Sequence, residues 1–315
     1  MKRTLLSLCL AATTAFAEPP AKPAPAKTTD AKPAPKSAPA PKPTAAVTFA
    51  EGFATPESVL YDGETDTYLV SNINGAPLDK DNNGYVAELA ADGKVLNARF
   101  IEGGKNGVTL NAPKGSAIVG GLLYVADIDV VRIFDRKTGA PKGEVKLPGA
   151  TFANDVAASP DGKLIYVSDS GLNQKFEGTG TDAIFVITPG KKPTAKPFIK
   201  SKDLHGPNGL LVTADAVHVV SFGANELQTY DLKGKKKGEF ASLPNGGLDG
   251  IVAAGDEVLV SSWGGKAVYR GKPGGEWKAA FTELEAPADI GFDSKRKRVL
   301  VPRFQGNTVE AWTLE

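Results

Sequence analysis

Sulfur and imidazole are scarce in this chain. Its 315 residues include one cysteine, one methionine and two histidines. The cysteine, Cys9, lies in an apolar N-terminal stretch. The rest of the chain therefore has no disulfide framework, no thiolate metal site and no cysteine nucleophile. No apolar run is long enough to span a bilayer, so no transmembrane segment is expected. Helical periodicity is absent over the body of the chain, and the net charge is only +1. The excess positive charge sits in the first 46 residues, which leaves the remainder net negative and without a basic stripe. Nucleic acid is not an expected partner.

Three segments of different material follow one another. Met1 to Ala17 has the parts of a secretory signal peptide: Lys2 and Arg3, an apolar core from Leu5 to Ala12, and small Ala15 and Ala17 before Glu18. The expectation is an exported protein, periplasmic or secreted. Bulky Leu8 disfavours Cys9 as a lipidation site. Residues 18–46 alternate Pro, Ala and Lys with no aromatic residue. Such a segment has nothing to bury and reads as a disordered Pro/Ala/Lys-rich linker, extended by its prolines. Its lysines would supply an envelope association through an anionic polymer. Residues 47–315 are long enough for one large β domain.

That domain repeats itself. Copies of one pattern begin at Pro56, Pro113, Ala153, Pro207, Leu248 and Pro287. In each, a polar residue precedes a short apolar run, a turn follows, and a second apolar run comes after it. A spacing of about 40 residues with short β-type runs predicts an all-β, six-bladed β-propeller. Residues Val47 to Phe53 are placed to supply a strand that closes the ring against the last one, which removes an open edge.

Aligning the copies puts Glu57, Lys114, Asn154, Asn208, Asp249 and Ala288 at one position. The first strand of each propeller blade faces the central channel, so these residues converge. Two carboxylates and two amide oxygens make an all-oxygen cage suited to a hard divalent cation, Ca²⁺ before Mg²⁺. With no histidine or cysteine there, zinc is disfavoured. Lys114 has three readings. It repels a metal, it pairs with Glu57 and Asp249 in a metal-free site, or it reaches past the metal to bind substrate or act as a base.

These residues resemble the senescence-marker-protein/gluconolactonase family of calcium-dependent six-bladed propellers, which is akin to the paraoxonases. The family's first-blade glutamate falls on Glu57 in PESVLYD, and its Asn-Asp pair on Asn154-Asp155 in FANDVAASPDG. Its Pro-Asn-Gly falls on Pro207-Asn208-Gly209 and its Asp-Gly on Asp249-Gly250. The resemblance implies Glu57, Asn154, Asn208 and Asp249 as metal ligands and a Ca²⁺-dependent hydrolase of lactones or related esters. Asp249 or Asp155 would activate water or attack directly, with Lys114 as a further catalytic candidate. Phe152 stands where gluconolactonases carry arginine, two residues before the third-blade Asn, so this substrate-contacting position departs from the sugar-lactone pattern. His205, three residues before Asn208, is a second candidate for substrate contact, and His218 reads as structural. The competing expectation is a non-catalytic propeller that binds a ligand or protein in the cell envelope.

Overall fold

The computed structural model describes residues 44–315. The expected signal peptide and almost all of the expected linker lie outside the described residues. The chain forms six four-stranded antiparallel sheets, the blades of one propeller. No α-helix occurs among the described residues, and a single 3₁₀ turn spans Lys202–Leu204.

Blade one contains Pro56–Asp62, Thr67–Asn72, Tyr85–Ala90 and Val95–Glu102. Blade two contains Pro113–Val119, Leu122–Asp127, Val130–Asp135 and Pro141–Lys146. Blade three contains Ala153–Ala158, Ile165–Asp169, Ala183–Thr188 and Thr194–Lys200. Blade four contains Pro207–Val212, Ala216–Ser221, Glu226–Asp231 and Ala241–Ser242. Blade five contains Leu248–Ala254, Glu257–Ser262, Ala267–Gly271 and Trp277–Phe281. Blade six joins Gly291–Asp293, Arg298–Arg303 and Thr308–Thr313 to Val47–Phe49, which pairs on the outside with Val47 opposite Ala311 and Phe49 opposite Val309.

Burial explains the composition of each strand. Second strands such as Thr67–Asn72 and Ala216–Ser221 are buried along their whole length. They read as continuous runs because both faces pack against neighbouring blades. Outer strands such as Pro141–Lys146 and Thr194–Lys200 are mostly exposed, and their lysines and prolines blunt the open edge. The core is not one central mass. It is divided among the seams between blades. Leu69, Val86 and Ile101 of blade one meet Leu123, Val125 and Phe134 of blade two. Phe49, Leu300 and Val309 of blade six meet Tyr68, Tyr85 and Leu89 of blade one.

One irregularity recurs and shapes the channel. In blades one to five the pairing of first and second strands slips by a residue near the start of the first strand, as between Ala153 and Val156. Blade six repeats the slip, since Pro287 bridges Arg303 while Gly291 faces Leu300. A β-bulge of this kind re-aims successive side chains.

Candidate functional site

The last residue of each second strand ties down the loop that leads into the channel. In blade one the Ala54 amide donates to Asn72 Oδ1 (3.1 Å), and in blade two the Ala112 amide donates to Asp127 Oδ1 (2.9 Å). In blade three the Phe152 amide donates to Asp169 Oδ1 (2.8 Å). In blades four to six the same position donates instead: Ser221 to the Leu204 carbonyl, Ser262 to the Gly246 carbonyl and Arg303 to the Glu285 carbonyl. These ties fix the entry of each first strand, and with it the side chain at the channel mouth.

Glu57, Lys114, Asn154, Asn208 and Asp249 line one cavity of ≈ 100 Å³, together with Phe152. Every one of these six side chains is buried. Four oxygens there have no hydrogen-bond partner: Glu57 Oε2, Asn154 Oδ1, Asn208 Oδ1 and Asp249 Oδ1. One comes from each of blades one, three, four and five. Buried polar atoms are almost always paired, so four orphans in one cavity need an explanation.

Other atoms of Asn154 and Asp249, and the Lys114 ammonium, are held. Asn154 Nδ2 donates to Ser170 Oγ (3.0 Å), which in turn donates to the Pro207 carbonyl (2.8 Å). Trp263 Nε1 donates to Asp249 Oδ2 (2.7 Å). Lys114 Nζ donates to the carbonyls of Pro77 (2.9 Å) and Ala112 (3.0 Å) and lies 4.7 Å from the Phe152 ring centroid. It forms no ion pair within 4 Å with Glu57 or Asp249. The reading in which its ammonium fills the centre and pairs with both carboxylates is therefore corrected. Backbone carbonyls reach the ammonium first.

The electrostatics follow from burial. Burial and the charges of Asp249 and Asp289 hold the Glu57 carboxyl well above the usual range, with Lys114 opposing. Burial pushes Asp249 up to about 7, against the pull of the Trp263 hydrogen bond. Burial lowers Lys114 to about 8, with Glu57 and Asp127 opposing. The two acids are thus desolvated carboxyls that an added cation would stabilise in charged form. Among the described residues no group of three or more His, Cys, Asp or Glu side chains is arranged to hold a metal. Two of the four unpaired oxygens here belong to amides, so the donor set is mixed.

Asp155 is not part of this cavity. The bulge turns it into a second cavity of ≈ 370 Å³ on the same channel, beside Ser58, Leu210, Ile251 and Asp289. Its Oδ2 accepts the Leu210 amide (2.7 Å) and its Oδ1 the Val156 amide (2.6 Å). Asp289 Oδ2 accepts from Ser58 Oγ (2.6 Å). A Cβ on Gly250 would come within 2.6 Å of Asp289 Oδ1 and 2.4 Å of the Ile290 nitrogen, so only glycine fits there. His205 is exposed, caps the Lys202–Leu204 turn with φ of 54°, and does not line the Glu57 cavity. His218 is buried in a second strand, with Nδ1 3.1 Å from Thr229 Oγ1.

Sequence reasoning missed the apolar wall. Ile73, Phe222, Trp263 and Phe304 line the cavity, and each directly follows the second strand of its blade. Phe176 completes the wall from a loop of blade three. The repeat alignment contained this signal, one position past the second apolar run.

No protein-family model matches the sequence, and no curated protein matches it either. Solved structures do share the architecture. The chain is an all-β six-bladed propeller, and its structural neighbours include regucalcin and gluconolactonase propellers. A regucalcin from Agrobacterium tumefaciens, described as a calcium-binding protein, superposes with a TM-score of 0.62 at 18% identity, over 86% of this chain and 94% of that one. A protein assigned as a gluconolactonase gives 0.63 at 18%, over 87% and 94%. Virginiamycin B lyase from Staphylococcus aureus, solved with quinupristin, gives 0.54 at 15%, over 82% and 95%. At these identities the likeness is one of fold.

Proposed function

We propose that the Glu57 cavity binds a hard divalent cation, Ca²⁺ before Mg²⁺, through Glu57, Asn154, Asn208 and Asp249, and that the protein hydrolyses lactones or related esters there. The observation that carries this reading is the set of four buried, partnerless oxygens from four blades around one small cavity. Two formal negative charges and two neutral carbonyl oxygens match the preference of calcium for oxygen ligands. A bound cation would supply Lewis acidity toward a carbonyl oxygen. The chain's own residues do the rest. Ser170 orients Asn154, and Trp263 holds one oxygen of Asp249 so that the other stays free. Asp249 Oδ1 is the atom that would take a proton from an attacking water. Lys114 is drawn back onto two carbonyls and keeps a positive charge beside Glu57 without occupying the cavity.

A second reading, a ligand-binding propeller without chemistry, is favoured by Asp155. Its two oxygens are engaged by backbone amides in the other cavity, so it offers no separate base. Elemental analysis of the purified protein, with melting curves before and after chelation, tests the cation. Asp249→Asn is expected to weaken Ca²⁺ binding more than Asn154→Asp, because it removes a formal ligand charge. A panel of lactones and aryl esters tests the chemistry. Occupancy without turnover selects the binding module, and a protein that neither holds Ca²⁺ nor responds to chelation sinks the metal reading. We further take the protein to be exported, on the Met1–Ala17 pattern. N-terminal sequencing of protein from fractionated cells would overturn this if Met1 were retained in the cytoplasm.

A further inference from the structure

Five aromatic rings stand around the mouth of the Glu57 cavity. They are Phe152, Phe176, Phe222, Trp263 and Phe304. They are linked ring to ring. Phe152 and Phe176 lie 6.3 Å apart between centroids, Phe222 and Trp263 5.5 Å apart at 78°, and Trp263 and Phe304 5.2 Å apart at 56°. Phe176 is 58% exposed and Phe222 41%, which makes them two of the four large apolar side chains that face solvent among the described residues. Exposed aromatics gathered at one opening, rather than scattered, mark a binding surface.

Most of the polar groups of this wall are already committed. Ser170 Oγ accepts from Asn154 and donates to the Pro207 carbonyl. Trp263 Nε1 is given to Asp249, and Lys114 Nζ to two carbonyls. A polyhydroxylated ring seated in the collar would bury hydroxyls against faces that offer them no partner, and each such hydroxyl is costly. A flat apolar ring would meet aromatic faces and edges at stacking distance. The partnerless oxygens lie deeper, among the first-strand residues of the same cavity, so the ligand's polar end belongs inward.

We infer that the collar selects an aryl or similarly flat apolar group carried on a carbonyl- or carboxylate-bearing head, and rejects polyol lactones and acids. This deepens the function proposed above and rests on the Glu57 cavity being the ligand site. Trp263 is its central positioning residue, since one indole packs against two collar rings and holds Asp249 through Nε1. Phe152, in this setting, is a wall residue that also lies under the Lys114 ammonium.

The test is equilibrium binding to the purified full chain, with Ca²⁺ present, by calorimetry and tryptophan emission. The probes are 3-phenylpropionate and gluconate. Phenylpropionate is expected to bind at least about tenfold tighter, the order of discrimination that unpaired polar groups and apolar complementarity produce. Phe222→Ala, and separately Phe176→Ala, should weaken it by about threefold or more while leaving the Ca²⁺-dependent melting shift intact. Both side chains are exposed, so neither change threatens the fold. Equal or tighter binding of gluconate overturns the inference. So does unchanged phenylpropionate affinity in both single variants when each retains the melting shift. The aryl preference without any Ca²⁺-dependent shift would support the collar and overturn the cation reading. The shift with a gluconate preference would do the reverse.

Discussion

The two cavities on the channel axis take consecutive residues at Glu57-Ser58 and Asn154-Asp155 and behave in opposite ways. Glu57, Asn154 and Asp249 face one cavity and keep oxygens without partners. Ser58, Asp155 and Asp289 face the other, where Asp155 collects two backbone amides and Asp289 a serine hydroxyl. The carboxyls of both groups are buried and have raised pKa values, so burial alone does not separate them. Hydrogen bonding does. Asp155, with both oxygens engaged, ties blade three to Leu210 of blade four, and Asp289 is tied through one oxygen to Ser58 of blade one. Unsaturated acids stand ready for something the chain itself does not provide.

Replacing one acid from each group should break that contrast most visibly. Asp155→Ala orphans the Leu210 and Val156 amides, and each buried unsatisfied group costs about 1–3 kcal/mol. We expect a loss of roughly 3–5 kcal/mol in urea unfolding, with the response to chelation preserved. Wild-type stability in Asp155→Ala would show that the second cavity is not a structural joint. Chelation of the wild-type protein comes next. A cation at a hundred times its dissociation constant contributes about 2.7 kcal/mol, and stripping it should lower the melting temperature accordingly. Asp249→Asn should shrink that response, yet leave the metal-free protein within about 1 kcal/mol of wild type, since an uncompensated buried carboxyl is itself unfavourable. Metal-free Asp249→Asn as unstable as Asp155→Ala would erase the distinction between the cavities.

The smallest effect is expected outside both. Burial lowers the pKa of His218 below its ordinary 6.5, with Asp215 opposing and Lys237 reinforcing the shift. The unfolded chain therefore takes up the proton first as pH falls. The contribution of His218 is intact above about 6.5 and declines as pH drops toward the folded-state value. Acid unfolding of His218→Gln should lose that limb of the profile, while chelation responses at neutral pH stay those of wild type. An unaltered limb would show that other groups govern it.

Much of this was legible before any coordinates. Six copies of one pattern gave six blades, and the shared register of Glu57, Lys114, Asn154, Asn208 and Asp249 brought them to one cavity. The next residue in each strand was not legible. Whether Asp155 faces the same cavity as Asn154 depends on a bulge, and a bulge leaves no residue signature beyond the crowded glycines at positions such as Gly250. The partners of Lys114 were also out of reach, because Pro77 and Ala112 act through backbone carbonyls that every residue carries. The aromatic collar was readable in principle from Phe222, Trp263 and Phe304 at one repeat position. It was passed over because the repeats were compared at the start of the first strand, while these rings stand one residue past the end of the second. His205 was read from proximity in sequence, and its own left-handed backbone at the end of the Lys202–Leu204 turn goes with an exposed side chain outside the lining of the cavity.

The strand Val47–Phe49 has a consequence in time. It completes blade six by lying against Thr308–Thr313, so the earliest of the described strands to leave the ribosome waits for the latest before the ring exists. Glu57 and Asp249 stand on the two blades that flank blade six. Their meeting across the axis therefore depends on the same late event, and loop-closure entropy makes such distant pairings slow. A partly made chain can fold several blades and still lack the pair of acids. The cavity that Glu57 and Asp249 line should mature as the final act of folding, in step with the lock that holds the ring shut.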